Sequence, residues 1–291
     1  MLHRILKTRW PPHIRYTLCI EKLYIGLAMI NGTPLLANWY HTTPLILAHR
    51  GDSVNAPENT LAAFRLAQAI GADGIELDTS LSADGVPMVI HNLTLDATTD
   101  GHGRVADQPV RALKQLDVGS HFDSSFKGES IPTLAEVFET IGSQLIVNVE
   151  LKSYSARPNG LEAATLAVIK PHNAARRVLI SSFNPFALRR MFRLAPDLPI
   201  GLLYFPRSYA LMRLLTVGLP IQALHPAQAG VTARFIRSAH RRRFRVNSWT
   251  VDHPVRATYL RDFGVDALIT NDPTAIMEAM GRFKAIRARS A

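Results

Sequence analysis

From residue 44 onward the chain alternates short apolar runs with longer amphipathic stretches, and this alternation limits the fold more than any other feature. Apolar runs of this kind are typical of strands buried on both faces, and the intervening stretches have the length of helices. We predict strands at 45–48, 74–78, 86–90, 145–150, 178–181, 200–203, 221–224, 245–249 and 267–270. We predict helices at 59–70, 133–141, 160–170, 185–194, 208–216, 231–240, 254–263 and 273–281. Such repetition indicates an α/β protein with a parallel sheet, and the number of units favours a closed (β/α)8 or TIM barrel over an open sheet.

Two places depart from the alternation. Nine strands are predicted for eight places in a barrel, so we expect one of them to be wrong or to lie outside it. Between Asp78 and Val86 there is no room for a helix, and the Asp84-Gly85 turn signal permits either a tight crossing or a hairpin. After the third strand, residues 92–130 are rich in Asp, Gly, Ser and Thr and form a predicted insertion with one weak helix at 110–116. Insertions after barrel strands lie over the C-terminal face, where barrel enzymes build their active sites.

The composition is that of a globular protein with a large core. Of the 291 residues, 47% are hydrophobic and 19% charged, which excludes a disordered or fibrous chain. The single cysteine, Cys19, excludes a disulfide framework and a multi-cysteine zinc site. No apolar run approaches the ~20 residues that a membrane-spanning helix needs. We therefore expect a cytoplasmic protein with an N-terminal extension at 1–43, one barrel domain at 44–281 and a basic C-terminal tail at 282–291.

Positive charge is concentrated at the two ends of the chain. The formal net charge is +10, of which residues 1–44 and 281–291 contribute +4 each. This distribution argues against a nucleic-acid groove, and we interpret the arginine run at 241–243 as a solvated helix end. The basic termini, with Trp10, Tyr16 and the apolar stretch 23–30, are compatible with peripheral membrane contact. A secretory signal and an extension packed on the barrel stay open as alternatives.

Charged and imidazole side chains stand where the first four predicted strands end. In strand order they are His49 and Arg50, then Glu76 and Asp78, then His91, then Asn148, Glu150 and Lys152. Residues two apart in a strand point to the same face. Because parallel strands end at the same end of a barrel, we expect these side chains to reach one site.

The acidic members of this set predict a metal site. Carboxylates are rarely buried unpaired and repel one another at close range, so a bound cation is the simplest way to hold three of them together. Oxygen-only ligation by Glu76, Asp78 and Glu150 favours one divalent ion, Mg²⁺ or Ca²⁺, over zinc. Taken alone, a Glu-x-Asp pair at a strand end is more often a capping pair, and a lone histidine is more often a satisfied polar residue. Their coincidence at four successive strands favours a metal-dependent acid–base site.

Several motifs along the chain resemble those of the glycerophosphodiester phosphodiesterase family. The opening signature is the pair Leu47-Ala48-His49-Arg50-Gly51 and Pro57-Glu58-Asn59-Thr60. It is followed by residues 71–78, 84–85, 91, 98–99, 131–134, 149–152, 182–183, 249–251 and 264–270. The resemblance covers roughly residues 45–275, and it implies a (β/α)8 barrel with a small insertion after the third strand.

Carried over position by position, the resemblance implies a role for each matching residue. His49 and His91 would be the catalytic acid–base pair, Glu76, Asp78 and Glu150 would bind the metal, and Arg50 and Lys152 would bind the substrate phosphate. Glu58 would support the site, and Trp249 would form an aromatic wall, although a tryptophan of the core is an equally good interpretation. Two positions differ from the family pattern. Asn92 stands where Asp usually follows the second histidine, and Ala97 stands where Arg usually precedes the paired threonines.

The expected function is metal-dependent hydrolysis of a small glycerophosphodiester to glycerol 3-phosphate and an alcohol, with the paired histidines moving protons. The leaving alcohol, the nucleophile and the assignment of acid and base stay open, as does the oligomeric state. Two alternatives use the same site: lysophospholipase D-like cleavage of lipid phosphodiesters, and a non-catalytic barrel that binds a phosphodiester.

Overall fold

Eight parallel strands close into a ring in the computed structural model, which describes residues 39–41 and 44–282. The strands are β1 (Leu45–His49), β2 (Gly74–Leu81), β3 (Pro87–Val89), β4 (Ile146–Leu151), β5 (Val178–Ser182), β6 (Ile200–Tyr204), β7 (Ala223–Pro226), β8 (Arg245–Ser248) and β9 (Ala267–Thr270). All except β3 belong to the ring, which closes because β1 pairs in parallel with both β2 and β9. The predicted (β/α)8 barrel is confirmed.

Helices surround the ring, except α2 (Val110–Leu113), which lies in the 92–130 insertion. They are α1 (Leu61–Ala69), α2 (Val110–Leu113), α3 (Leu134–Ile141), α4 (Leu161–Ile169), α5 (Pro185–Leu194), α6 (Tyr209–Leu215), α7 (Ala233–Arg241), α8 (Pro254–Asp262) and α9 (Pro273–Ala279). Short 3₁₀ turns lie at Val105–Asp107, Ser124–Phe126, Ala174–Arg176, Pro206–Ser208 and Gln228–Gly230. None of the helices in the described ranges has the length and apolar composition to cross a membrane.

The core lies between the ring and the helices. Alternate residues of each strand face opposite sides. On β2, Ile75 and Leu77 belong to the core that the strands share with the helices. Glu76 and Asp78, which alternate with these residues, therefore face the interior of the barrel. Burial on both faces explains why most strands are nearly continuous apolar runs in the sequence.

The third strand does not enter the ring. Residues 79–81 of β2 pair with β3 in antiparallel register, so the junction after Asp78 is a hairpin, one of the two predicted possibilities. The expectation that His91 ends a strand of the parallel barrel is wrong, because β3 runs back toward the ring. The Ile90 amide donates to the Asp78 carbonyl, 3.0 Å away. The antiparallel return therefore delivers His91 to the level of the acidic residues, and the 92–130 insertion continues from there.

At the opposite end, the segment before β1 covers the interior of the barrel. Tyr40 is buried beside Leu45 and Ile269, and its hydroxyl donates to Asn247 Oδ1 over 3.1 Å. At the other end of the described chain, the Arg282 guanidinium lies 2.6 Å from the Asp73 carboxylate. The rest of the predicted extension, with Trp10, Tyr16 and 23–30, lies outside the described residues, as does the tail beyond 282.

Candidate active site

The three predicted metal ligands lie on two adjacent strands. In the parallel register of β2 and β4, Asp78 is opposite Glu150 and Glu76 is opposite Asn148. Glu76, Asp78 and Glu150 are all buried, and one carboxylate oxygen of each lies within 4.8 Å of the others. The predicted convergence of three acids is therefore present.

Two cations neutralise part of this cluster. Lys152 Nζ lies 3.0 Å from Glu150 Oε1 and 3.3 Å from Asp78 Oδ1. Arg50 Nε lies 3.2 Å from the other oxygen of Asp78. The charge is unevenly shared, because both cations contact Asp78. Glu76 Oε2 is buried without a hydrogen-bond partner among the described residues.

The pKa values follow this uneven distribution. Burial raises the pKa of Asp78, but Lys152 and Arg50 outweigh it and bring that pKa to about 2. For Glu150, burial and the charge of Asp78 outweigh Lys152 and raise the pKa to about 7. Burial, Asp78 and Glu150 raise the pKa of Glu76 well above its ordinary value. Without a further cation the cluster therefore favours retaining a proton.

The donor set fits a hard divalent cation. The cluster offers carboxylate oxygens alone, which suits Mg²⁺ or Ca²⁺ better than zinc or copper. The unpartnered oxygen of Glu76 supports the same interpretation, because a buried carboxylate oxygen without a donor is costly unless a ligand satisfies it.

The turn after β1 positions Arg50. Both Arg50 and Gly51 have positive φ, 59° and 86°, and a Cβ at Gly51 would stand 2.6 Å from the backbone of Ala63. Arg50 Nη1 donates to Glu58 Oε2 over 2.8 Å. The Arg50 guanidinium is thus held between Glu58 and Asp78, which places Glu58 beside the site as predicted.

Asn59 is a site residue that sequence reasoning missed. It lies within the Pro57–Thr60 motif. The cap of α1 is Thr60, whose hydroxyl accepts from the Ala63 amide. Asn59 adopts positive φ and donates from Nδ2 to Asp78 Oδ2 over 3.0 Å. It thereby satisfies the most strongly paired carboxylate of the cluster.

His49 is oriented by a two-residue network that sequence reasoning also missed. Its Nδ1 lies 2.6 Å from Asn271 Oδ1, and Asn271 Nδ2 donates to Asp252 Oδ2 over 2.8 Å. A carboxylate only accepts, so the amide nitrogen of Asn271 must face Asp252 and its oxygen must face His49. His49 therefore carries its proton on Nδ1 and has the lone pair of Nε2 available, 3.7 Å from Glu76 Oε2.

No local sequence signal marks this network. Asn271 and His49 are 222 residues apart in sequence. Asn271 follows the quoted 264–270 motif directly, and Asp252 follows the 249–251 motif. Only closure of the ring between β1 and β9 brings these residues together.

His91 faces the same electrostatic environment. Burial lowers its pKa, and Arg50 and Lys152 lower it further against the opposing effect of Asp78. Its Nδ1 lies 2.8 Å from Asn92 Oδ1. Asn92 therefore hydrogen-bonds the ring without the negative charge that Asp would bring.

Trp249 lies at the mouth of the barrel with two other aromatic residues. Its ring is 5.5 Å from that of Phe183 and 5.3 Å from that of Phe205, both edge to face. Its indole nitrogen donates to the His225 carbonyl over 2.7 Å. Trp249 is partly exposed, and it packs against the interior cluster of Leu45, Leu47 and Ile269.

Comparisons with known proteins agree with one another. A sequence model described as the Glycerophosphoryl diester phosphodiesterase family matches residues 49–275. A glycerophosphodiester phosphodiesterase of Caldanaerobacter subterraneus subsp. tengcongensis is 42% identical over 236 residues, which cover 80% of this chain and 96% of that protein. One of Bacillus altitudinis is 34% identical over 233 residues, 78% of this chain and 94% of the relative.

Solved structures show the same likeness. An Oleispira antarctica phosphodiesterase, in complex with the product sn-glycerol-3-phosphate, has a TM-score of 0.75 and 34% identity. The match covers 84% of this chain and 99% of that one. A glycerophosphodiester phosphodiesterase from Agrobacterium tumefaciens has a TM-score of 0.69 and 27% identity, over 81% of this chain and 100% of the other.

Proposed function

Because the chain belongs to the glycerophosphoryl diester phosphodiesterase family and is an enzyme of that kind, we propose that it hydrolyses small glycerophosphodiesters by metal-dependent, paired-histidine catalysis. Its products would be glycerol 3-phosphate and an alcohol. The observation that carries this proposal is the convergence of Glu76, Asp78 and Glu150, beside two basic residues and the Nε2 of a histidine with an assigned tautomer. The Oleispira structure, which holds sn-glycerol-3-phosphate, supports the same substrate class.

The metal would be held by Glu76, Asp78 and Glu150. A divalent cation bound there would stabilise the negative charge that develops on the phosphoryl oxygens. Lys152 has three N–H donors, and the contacts with Asp78 and Glu150 account for two of them. Its remaining donor and the guanidinium of Arg50 would bind the substrate phosphate and keep it above the acidic cluster.

The histidines would move the protons. In the proposed reaction the bond from phosphorus to the leaving alcohol breaks as a hydroxyl oxygen, of water or of the neighbouring glycerol carbon, bonds to phosphorus. Attack by water would give glycerol 3-phosphate directly, whereas attack by the glycerol hydroxyl would give a cyclic phosphate, one ring P–O bond of which water would then hydrolyse. One imidazole takes the proton of the attacking hydroxyl, and the other donates a proton to the leaving oxygen. The tautomer of His49 suits it to either task, because Nδ1 is held by Asn271 and Nε2 exchanges the proton.

The direct test is release of glycerol 3-phosphate from glycerophosphocholine by chelator-treated protein, with Mg²⁺ or Ca²⁺ then added back. His49→Ala and Glu76→Ala are each expected to lower kcat by about 10²-fold or more. His102→Ala is the matched control, because this imidazole lies in the insertion with an 87% exposed side chain. Full activity in chelator, or in either site variant, would refute the proposal.

A second candidate substrate is a lysolipid phosphodiester. The aromatic mouth formed by Phe183, Phe205 and Trp249 favours it, because an acyl chain leaving the site would lie against these rings. Long-chain lysophosphatidylcholine and glycerophosphocholine should be compared as substrates of the same protein by kcat/KM.

Because the chain is an enzyme, the alternative of a non-catalytic barrel that only binds a phosphodiester no longer applies. Cytoplasmic placement stays part of the proposal; it is based on the single Cys19 and is tested by cell fractionation.

A further inference from the structure

Exposed apolar side chains lie after three neighbouring strands at the catalytic face and on the helix that follows the third of these strands. Tyr154, Phe186 and Phe205 follow the neighbouring strands β4, β5 and β6 and are 66%, 45% and 57% exposed. Helix α6 begins shortly after Phe205, and its Leu211 and Leu214 are 54% and 68% exposed. We call these five residues the apolar rim. Exposure of large apolar side chains to water is unfavourable, so a cluster of them on the surface indicates an interaction site.

The apolar rim is continuous with the mouth of the active site. The Phe205 ring stacks on Phe183 with 5.4 Å between centroids and meets Trp249 edge to face. Phe205 thus belongs both to the apolar rim and to the aromatic group at the mouth. A surface that docks on the rim would therefore lie next to the entrance of the site.

The segment that carries Phe205 and α6 has charge of one sign. Residues 198–240, which run from β6 through most of α7, contain four arginines and no Asp, Glu or Lys; the arginines are 207, 213, 234 and 237. Helix α7 is the neighbour of α6, since the Tyr209 and Phe235 rings lie 6.0 Å apart. On α7, Arg234 and Arg237 are exposed.

From these observations we propose that the apolar rim docks on an anionic lipid surface. Aromatic and leucine side chains insert at the boundary between headgroups and acyl chains, while nearby arginines bind anionic headgroups. A second copy of the chain is a poor partner for the rim, because an isologous contact would bring together two segments whose only charged residues are arginines. Nucleic acid would be bound by the arginines but would leave the exposed leucines without a partner.

This inference rests on the exposed surface and its charge, and it does not require the proposed reaction. It would place the mouth of the barrel beside the lipid surface. It also differs from the membrane contact expected through the basic termini, because its apolar anchors lie on the barrel itself.

Sedimentation with lipid vesicles tests the inference on the full chain. Vesicles of phosphatidylcholine alone are compared with vesicles that also contain phosphatidylglycerol. The double variant Leu211→Ser/Leu214→Ser should lower the vesicle partition coefficient by about tenfold or more, since both side chains lose apolar area that would be buried in lipid. Arg234→Gln/Arg237→Gln should reduce the preference for phosphatidylglycerol. Leu194→Ser, a 48% exposed leucine at the far end of α5, should bind as wild type does.

Thermal melting of each variant, without substrate, shows that it is folded. Equal partition of wild type and the leucine double variant would overturn the inference, because binding would then come from the basic termini alone. Equal binding to both vesicle types would also overturn it. A third result would overturn the inference: wild type binds no vesicles and forms a dimer in solution, and the leucine double variant is monomeric. A second copy would then cover the rim.

Discussion

Replacing Glu150 by Gln should stabilise the metal-free protein at alkaline pH. Burial and Asp78 raise the pKa of Glu150 from 4.5 to about 7, so its ionised form is disfavoured in the fold. The difference of about 2.5, at about 1.36 kcal/mol per pKa unit, corresponds to about 3 kcal/mol. Gln mimics the neutral acid and removes this penalty. For a domain of this size, about 2–3 kcal/mol raises Tm by about 5–10 °C.

The effect has a defined pH window. A carboxyl whose pKa is higher in the folded than in the unfolded state contributes stability below its unfolded pKa, and this is lost as pH rises through the folded pKa. In chelator, wild type and Glu150→Gln should therefore melt together below pH 4.5, and Glu150→Gln should be increasingly the more stable as pH rises through about 7. Added Mg²⁺ or Ca²⁺ should stabilise wild type, by about 2.7 kcal/mol at 100 times Kd, and leave the variant unchanged.

Differential scanning calorimetry over pH, in chelator and in excess cation, measures both effects. Glu278→Gln, at an exposed position on α9, is the control for removing one negative charge. A lower Tm for Glu150→Gln than for wild type in chelator at pH 8 would refute the reasoning. It would mean that the contact with Lys152 stabilises the fold more than the buried repulsion destabilises it.

Three further predictions concern the residues that hold the site. Asp252→Asn frees the Asn271 amide to turn, so the tautomer of His49 is no longer fixed. We expect kcat to fall by about 10²-fold and the pH–rate profile to change. An unchanged profile would contradict the orienting function. Glu58→Gln removes the carboxylate that accepts the 2.8 Å hydrogen bond from Arg50 Nη1. Steady-state kinetics should show a larger rise in KM than fall in kcat. Gly51→Ala should lower Tm, because the residue has φ of 86° and its Cβ would stand 2.6 Å from Ala63; a melting curve like that of wild type would contradict this.

Periodicity and strand ends were enough to predict the barrel and the meeting of Glu76, Asp78 and Glu150. The rule that residues two apart share a face depends only on local geometry, and parallel strands bring their ends together. The direction of β3 was beyond such rules, because the turn at Asp84-Gly85 is compatible with either connection. His91 thus reaches the predicted place by an antiparallel strand.

The orienting residues were beyond sequence reasoning for a related reason. Asn271 contacts His49 only because β9 closes the ring beside β1. Asn59 stands at the start of the predicted helix 59–70, and its bond to Asp78 depends on its positive φ. Such contacts join side chains whose separation in sequence follows neither helix nor strand periodicity.

Calorimetric titration of a divalent cation into chelator-treated protein tests most directly whether the three carboxylates form one metal site. Wild type and His49→Ala should each bind one ion, whereas Glu76→Gln should bind at least about tenfold more weakly, since the Glu76 oxygen is buried without a hydrogen-bond partner among the described residues. Equal affinity and stoichiometry in Glu76→Gln and wild type would contradict the account.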